Sequence, residues 1–101
     1  MKFISFYQYK VEDQDKIMKK FAQIQAERAK DPTKFPKIIF GPFGMGEFDT
    51  VGATKCFTIH EVDDMKQFLR LGIHFTPEIT WKFVPIMEAS EFMPLWQEMK
   101  H

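Results

Sequence analysis

The sequence predicts an α+β fold in which four strands and two helices follow one another as βαββαβ, with a third helix at the end of the chain. Four short runs are rich in aromatic and β-favouring residues, as strands are. Between the first and second runs, and again between the third and fourth, apolar residues recur at steps of three and four, as on one face of a helix. With 101 residues, the chain has the length of a single domain, 1–101.

The first half of the chain contains strand one, helix one and strand two. Strand one covers residues 2–9, KFISFYQY. Helix one follows, and either Asp13 or Asp15 is expected to cap its start. Its predicted buried face is formed by Ile17, Phe21, Ile24 and Arg28. Strand two covers residues 36–43, and a glycine-bearing connection over residues 41–52 leads to strand three.

The second half contains strand three over residues 52–62, helix two, and strand four over about 78–88. Asp63 or Asp64 is expected to cap helix two. Its predicted apolar stripe is formed by Met65, Phe68, Leu69 and Ile73. The segment ITWKFVPIM within strand four is unusual, because neither of its two alternating faces is cleanly polar. Something is therefore expected to cover both faces of the sheet.

A tail helix is predicted after strand four. Ser90 is expected to cap it, and Pro94 then lies in its first turn, where proline does limited damage. Its apolar residues recur at helical spacing and are Phe92, Leu95, Trp96 and Met99.

Right-handed crossovers place the four strands in the antiparallel order 4-1-3-2, with helices one and two on one face, which is a ferredoxin-like arrangement. One parity of the strand residues is expected to face the helices and comprises Ile4, Phe6, Phe57, Ile59, Trp81 and Phe83. The other parity comprises Phe3, Ser5, Tyr7, Tyr9, Cys56, Thr58, His60, Thr80, Lys82, Val84 and Ile86. This second set is too aromatic to face water, because exposing its large apolar side chains would forfeit about 1.5–3 kcal/mol each.

Two arrangements would cover that second face. The tail helix could fold back over it, or a second copy of the sheet could pack against it in a two-fold dimer. We favour the dimer, an arrangement that also leaves the tail helix free to cross to the partner.

From MKFISFYQY to the tail helix, and most clearly over CFTIHEVDDMKQFLRLGIHFTPEITWKFVPIMEASEF, residues 56–92, the chain resembles a family of short proteins of unknown function in the dimeric α/β-barrel superfamily. The resemblance implies that two ferredoxin-like chains pack their sheets into a barrel, and therefore that the protein is a homodimer through its sheet faces. It implies no particular activity, since the superfamily includes cofactor-independent monooxygenases, haem-degrading enzymes, isomerases and ligand-binding regulators.

Composition excludes several functional classes. The 14 basic and 14 acidic residues balance, so the chain lacks the positive charge that nucleic-acid binders need. Cys56 is the only cysteine, which excludes an internal disulfide and a cysteine-based zinc site. No apolar run approaches the roughly 20 residues that span a bilayer. We therefore expect a cytoplasmic protein without metal, cofactor, nucleic-acid partner or membrane contact.

The candidate ligand-binding residues are Tyr7, Thr58, His60 and Lys82, all predicted to lie on the sheet face away from the helices. Together they would line the interior of the barrel. Tyr7 and His60 would form hydrogen bonds, and Lys82 would stabilise an anion or enolate. The sequence therefore favours a homodimeric ligand-binding or structural domain. The alternative is a cofactor-free enzyme, such as a monooxygenase or isomerase, acting on a small hydrophobic or aromatic substrate.

Overall fold

The computed structural model describes residues 1–46 and 53–100. The elements are β1 (Lys2–Lys10), a short 3₁₀ turn (Val11–Asp13), α1 (Gln14–Lys30), β2 (Lys37–Gly44), β3 (Ala53–Glu61), α2 (Met65–His74), β4 (Thr80–Ile86) and α3 (Ala89–Met99). This order confirms the predicted βαββαβ arrangement with a tail helix. In the described part of the chain, no helix combines the length and the apolar character needed to cross a membrane.

The four strands form one antiparallel sheet in the order β2-β3-β1-β4, which confirms the predicted order and fits a ferredoxin-like fold. The central strand β1 pairs with β3 on one side and with β4 on the other. Tyr7 lies opposite Cys56 and Trp81, and Ser5 lies opposite Thr58 and Phe83. Residues directly opposite one another share a sheet face, so this register decides which side chains meet.

The face assignment of β1 and β3 was wrong. The buried residues of these strands, and therefore the ones under the helices, are Phe3, Ser5, Tyr7, Tyr9, Thr58 and His60. Trp81 and Phe83 of β4 lie on this covered face, as predicted, because they pair with Tyr7 and Ser5. Both faces of β1 are aromatic, so alternation separates the two sets without indicating which set lies under the helices. A shift of one residue in the pairing exchanges the faces completely.

The opposite face of the sheet, here called the open face, includes Ile4, Phe6, Phe57, Ile59, Lys82 and Val84. The four apolar residues of β1 and β3 in this set are half-buried by their neighbours, and Lys82 is exposed. Phe43 of β2 extends the patch, with its ring centroid 5.2 Å from that of Phe57. All residues of α3 are exposed, so the tail helix does not fold back over the sheet of its own chain.

Helix α1 uses the predicted face. Ile17 and Ile24 are fully buried, and Phe21 and Arg28 are half-buried beside them. Asp13 precedes the helix, but its side chain forms no capping hydrogen bond.

Helix α2 begins as predicted, because the Asp64 carboxylate accepts a hydrogen bond of 2.9 Å from the Lys66 N–H. Its buried face differs from the prediction. Phe68 is buried as expected, but the other inward residues are Gln67 and Leu71. The remaining residues of the predicted stripe, Met65, Leu69 and Ile73, are exposed.

The Gln67 side chain explains this rotation of α2. Its amide donates a hydrogen bond of 2.8 Å to the Thr33 carbonyl, and its oxygen accepts one of 3.0 Å from the Asp63 N–H. These two bonds satisfy the buried amide and fix its face of the helix towards the core.

Helix α3 starts two residues earlier than predicted. Glu88, rather than Ser90, caps it, and Glu91 completes a reciprocal capping box. Pro94 consequently lies in the second turn rather than the first. The first four residues of the predicted β2–β3 connection, 41–44, belong to β2. Residues 47–52 of that connection lie outside the described residues.

Candidate functional site

A cavity of about 350 Å³ lies between the covered face of the sheet and helix α1, with β2 closing one side. Its volume falls near the lower end of the range for small-molecule sites. The apolar part of its wall includes Phe21, Ile24, Ile38, Leu71 and Trp81, and the polar part includes Tyr7, Arg28, Cys56, Thr58 and His60. The cavity is therefore mainly apolar, with a few polar groups from α1, β1 and β3.

The structure brings together three of the four predicted binding residues. Tyr7, Thr58 and His60 line the cavity, although on the helix side of the sheet rather than on the predicted open face. Lys82 lies on the open face, because it follows Trp81 and side chains alternate along a strand. The prediction that all four share one site was therefore wrong, and Lys82 does not line this cavity.

His60 is held by a buried hydrogen bond. Its Nδ1 lies 2.7 Å from the Ser5 hydroxyl, and both residues are almost completely buried. Burial, and then the positive charge of Arg28, lower the pKa of His60 to about 4. His60 is therefore neutral at neutral pH. Because Ser5 occupies Nδ1, the other ring nitrogen is the one that a ligand in the cavity can use.

Tyr7 and Cys56 lie opposite each other on β1 and β3 and form a second polar group of the wall. Burial, followed by the nearby Cys56 sulfur, raises the pKa of the Tyr7 phenol well above its usual value. Burial also raises the pKa of the Cys56 thiol. Both side chains therefore remain protonated at neutral pH and offer uncharged hydrogen-bonding groups.

Arg28 brings a positive charge to the cavity wall. Its Nη2 donates a hydrogen bond of 2.9 Å to the Pro36 carbonyl, but its buried Nε has no hydrogen-bond partner in residues 1–46 and 53–100. Burial lowers the pKa of Arg28, whereas a nearby carboxylate would raise it. None of the ion pairs found in residues 1–46 and 53–100 includes Arg28. The guanidinium is thus partly buried without an acidic partner among the described residues.

A second wall residue also has an unpaired donor. The indole Nε1 of Trp81 is buried and has no hydrogen-bond partner in the part of the chain that the structure describes. The Trp81 ring packs against Tyr7, with ring centroids 4.8 Å apart, and against Phe75 at 5.8 Å. Buried N–H groups are normally paired in proteins, so each exception needs an explanation.

The sequence contained a signal for Arg28, although the residue was not assigned to a site. Arg28 continues the apolar spacing of Ile17, Phe21 and Ile24, so it occupies the buried face of helix one. A charged residue in such a stripe is expected either to pair with an acid or to face a ligand. Trp81 gave no comparable signal, because a tryptophan in a strand is ordinary.

Neither the cavity nor the rest of the described chain presents a cluster of metal ligands. Within residues 1–46 and 53–100, no group of three His, Cys, Asp or Glu side chains converges. The described residues that line the cavity include no carboxylate. Cys56 and His60 share the covered face but lie four strand residues apart, about 13 Å, which is too far for one ion.

The comparisons with known proteins give a family and no activity. Neither a curated protein nor a solved structure matches the chain. A family model described as a domain of unknown function, DUF3303, matches residues 1–100. The chain therefore belongs to the DUF3303 family.

Proposed function

We propose that the protein is a homodimer in which each chain binds a small, largely apolar molecule in the cavity between the sheet and α1. The observation that carries the binding proposal is the cavity itself, about 350 Å³ in volume with an aromatic and aliphatic wall. Small-molecule sites typically combine such a wall with a few placed polar groups. Here Tyr7, Thr58 and His60 would supply those groups.

Protonation favours binding over acid–base catalysis. A general acid or base works best when its pKa lies near the working pH. In this cavity the pKa of His60 is lowered to about 4, and the pKa values of Tyr7 and Cys56 are raised. All three shifts move away from neutrality. The groups are therefore better suited to hydrogen bonding with a ligand than to the proton transfers of a cofactor-free enzyme.

The size of the exposed surface supports the homodimer. The chain exposes 7305 Å² and has a radius of gyration of 16.0 Å. A compact monomer of 12.0 kDa would expose about 6,000 Å² and have a radius of about 13 Å. The excess of about 1,300 Å² is larger than the roughly 800 Å² that each partner buries in an interface of standard size.

The exposed apolar side chains favour a second copy of the chain as the partner. The open face presents Phe6, Phe57 and Val84, and α3 leaves Phe92 and Trp96 more than half exposed. Two open faces related by a two-fold axis would each cover the apolar surface of the other. In that arrangement Lys82 lies at the interface rather than in the ligand cavity.

The binding proposal can be tested with phenylbutyramide, a neutral molecule with an apolar body. The variant Trp96→Phe removes the exposed indole and leaves Trp81, in the cavity wall, as the only tryptophan. Phenylbutyramide should change the fluorescence of Trp81 in a saturable manner. The additional substitution Cys56→Leu, which fills part of the cavity, should weaken this binding at least tenfold.

The matched control is Lys82→Met in the same Trp96→Phe background. Lys82 is on the open face, so this substitution should leave the affinity for phenylbutyramide unchanged. Absence of saturable binding, or equal binding by the cavity-filled variant, would contradict the proposed site. Circular dichroism should confirm that both variants are folded.

Sedimentation equilibrium tests the homodimer. The wild-type protein should be a dimer at micromolar concentration, and Phe57→Glu should be a monomer because it would bury an unpaired charge. The control Ala26→Glu adds the same charge to an exposed position of α1 and should remain dimeric. A monomeric wild-type protein would overturn the assembly while leaving the cavity proposal intact.

A further inference from the structure

We infer that the ligand of this cavity is an organic carboxylate with an apolar body, and that its carboxylate accepts hydrogen bonds from Arg28. This inference rests on the proposed function, because it assigns a chemical class to the molecule that the same cavity would bind. The observation behind it is a positive charge in a cavity wall whose described residues include no acid.

Among the described residues, the Arg28 guanidinium lacks the partners that a partly buried charge normally has. A partly buried guanidinium loses hydration, and proteins normally compensate with a carboxylate or several hydrogen bonds. With the described residues, Arg28 forms one hydrogen bond, from Nη2 to the Pro36 carbonyl, and its Nε forms none. A carboxylate ligand would supply both the missing acceptor and the missing negative charge, in the planar geometry that guanidinium groups bind well.

The other arginine of the chain, Arg70, provides a comparison for Arg28. Arg70 is exposed and donates a hydrogen bond of 3.1 Å to the Lys34 carbonyl. Both arginines therefore bond one carbonyl of the segment between α1 and β2. Of the two arginines, Arg28 alone lines the cavity, and its buried Nε–H is unpaired among the described residues. Fastening that segment accounts for Arg70 completely, but it does not account for the Nε of Arg28.

The positions of Arg28 and Trp81 along β1 would orient the ligand. Arg28 lies near His60, whose pKa it lowers through its charge. His60 pairs with Phe3, and Trp81 pairs with Tyr7. Four residues of β1 separate these positions, a distance of about 13 Å. Arg28 and the unpaired Trp81 Nε1 therefore mark opposite ends of the cavity.

The wall along α1 is consistent with an elongated ligand. Ile24 and Phe21 precede Arg28 by one and two helical turns, so they line the same side of the cavity. The ligand would place its carboxylate at Arg28 and its apolar body along these two side chains. An oxygen at the far end of the ligand would accept a hydrogen bond from Trp81 Nε1.

The test compares phenylbutyrate with phenylbutyramide, which have nearly the same shape but differ in charge. Affinities for the wild-type protein are measured by titration calorimetry. The fluorescence of Trp81 in the Trp96→Phe variant provides a second measurement. We expect phenylbutyrate to bind at least tenfold more tightly than the amide. The variant Arg28→Gln should reduce this preference to less than twofold, and Arg70→Gln should retain it.

The outcomes separate the two proposals. If both molecules bind the wild-type protein equally, the cavity site stands and the carboxylate inference is wrong. If Arg28→Gln keeps the preference for phenylbutyrate, a different group binds the carboxylate and the inference is also wrong. If neither molecule binds, the proposed function fails together with the inference. The wild-type comparison decides the matter even if Arg28→Gln does not fold.

Discussion

The substitution Ser5→Ala should destabilise the protein by about 1–3 kcal/mol through His60. Ser5 is 0 % exposed and His60 is 3 % exposed, and their side chains are joined by a hydrogen bond of 2.7 Å. Alanine removes the hydroxyl without adding volume, so the ring nitrogen Nδ1 of His60 remains buried without a partner. A buried polar group left in this state costs about 1–3 kcal/mol. For a domain of this size, each kcal/mol corresponds to about 4–8 °C in Tm.

Urea denaturation at a fixed protein concentration measures this loss, because the stability of the proposed dimer would depend on concentration. The midpoint should fall while the slope m stays constant, since the fold is unchanged. Ser90→Ala is the matched control, because Ser90 is exposed in the first turn of α3. Equal stabilities of the two variants would refute the assignment of Ser5 and His60 as a buried hydrogen-bonded pair.

Three further substitutions or conditions test the structure at other points. The pKa of His60 is about 4 in the folded chain and about 6.5 in the unfolded chain, so the unfolded state binds more protons between these values. Wild-type stability should therefore fall by about 3 kcal/mol as the pH is lowered over that interval. The variant His60→Gln should lack this part of the pH dependence, and parallel stability curves of the two proteins would contradict the assignment. Gly41→Ala should destabilise the protein by about 1–2 kcal/mol, because Gly41 has a φ of 102° and a Cβ would lie 3.2 Å from the Phe57 carbonyl oxygen of β3. At Gly44 a Cβ would meet no atom within 4 Å, so Gly44→Ala should show no such loss in thermal unfolding. Gln67→Ala should lower the free energy of unfolding by about 1–3 kcal/mol, because it leaves the Asp63 N–H and the Thr33 carbonyl unpaired. The control Gln23→Ala, at an exposed position, should lower it by less than 0.5 kcal/mol. Equal losses in urea denaturation would show that the Gln67 hydrogen bonds do not hold α2 in place.

The element order and strand order follow from the sequence because they depend on local patterns and on the handedness of crossovers. The aromatic run KFISFYQY and the stripe of Ile17 and Ile24 each admit one interpretation. The faces of β1 do not, because Phe3 and Tyr7 compete with Ile4 and Phe6 for the same core. Only the pairing of Tyr7 with Trp81, rather than with Lys82, resolves that competition, and pairing is a long-range property.

The candidate site shows the same division between local and long-range information. Tyr7, Thr58 and His60 could be selected from the sequence because polar groups on an aromatic strand need partners when buried. Their position beneath α1 could not be predicted, because it depends on the register of three strands. Arg28 could be placed on the buried face of helix one, but the lack of an acid beside it among the described residues becomes evident only in the assembled structure.

A crystal structure of the protein with phenylbutyrate tests the central claim most directly. We predict electron density for the ligand between the covered face of the sheet and α1, with its carboxylate within hydrogen-bonding distance of Arg28 and its phenyl ring towards Trp81. Ligand density on the open face of the sheet, or an interior cavity that stays empty at saturating phenylbutyrate, would contradict the account.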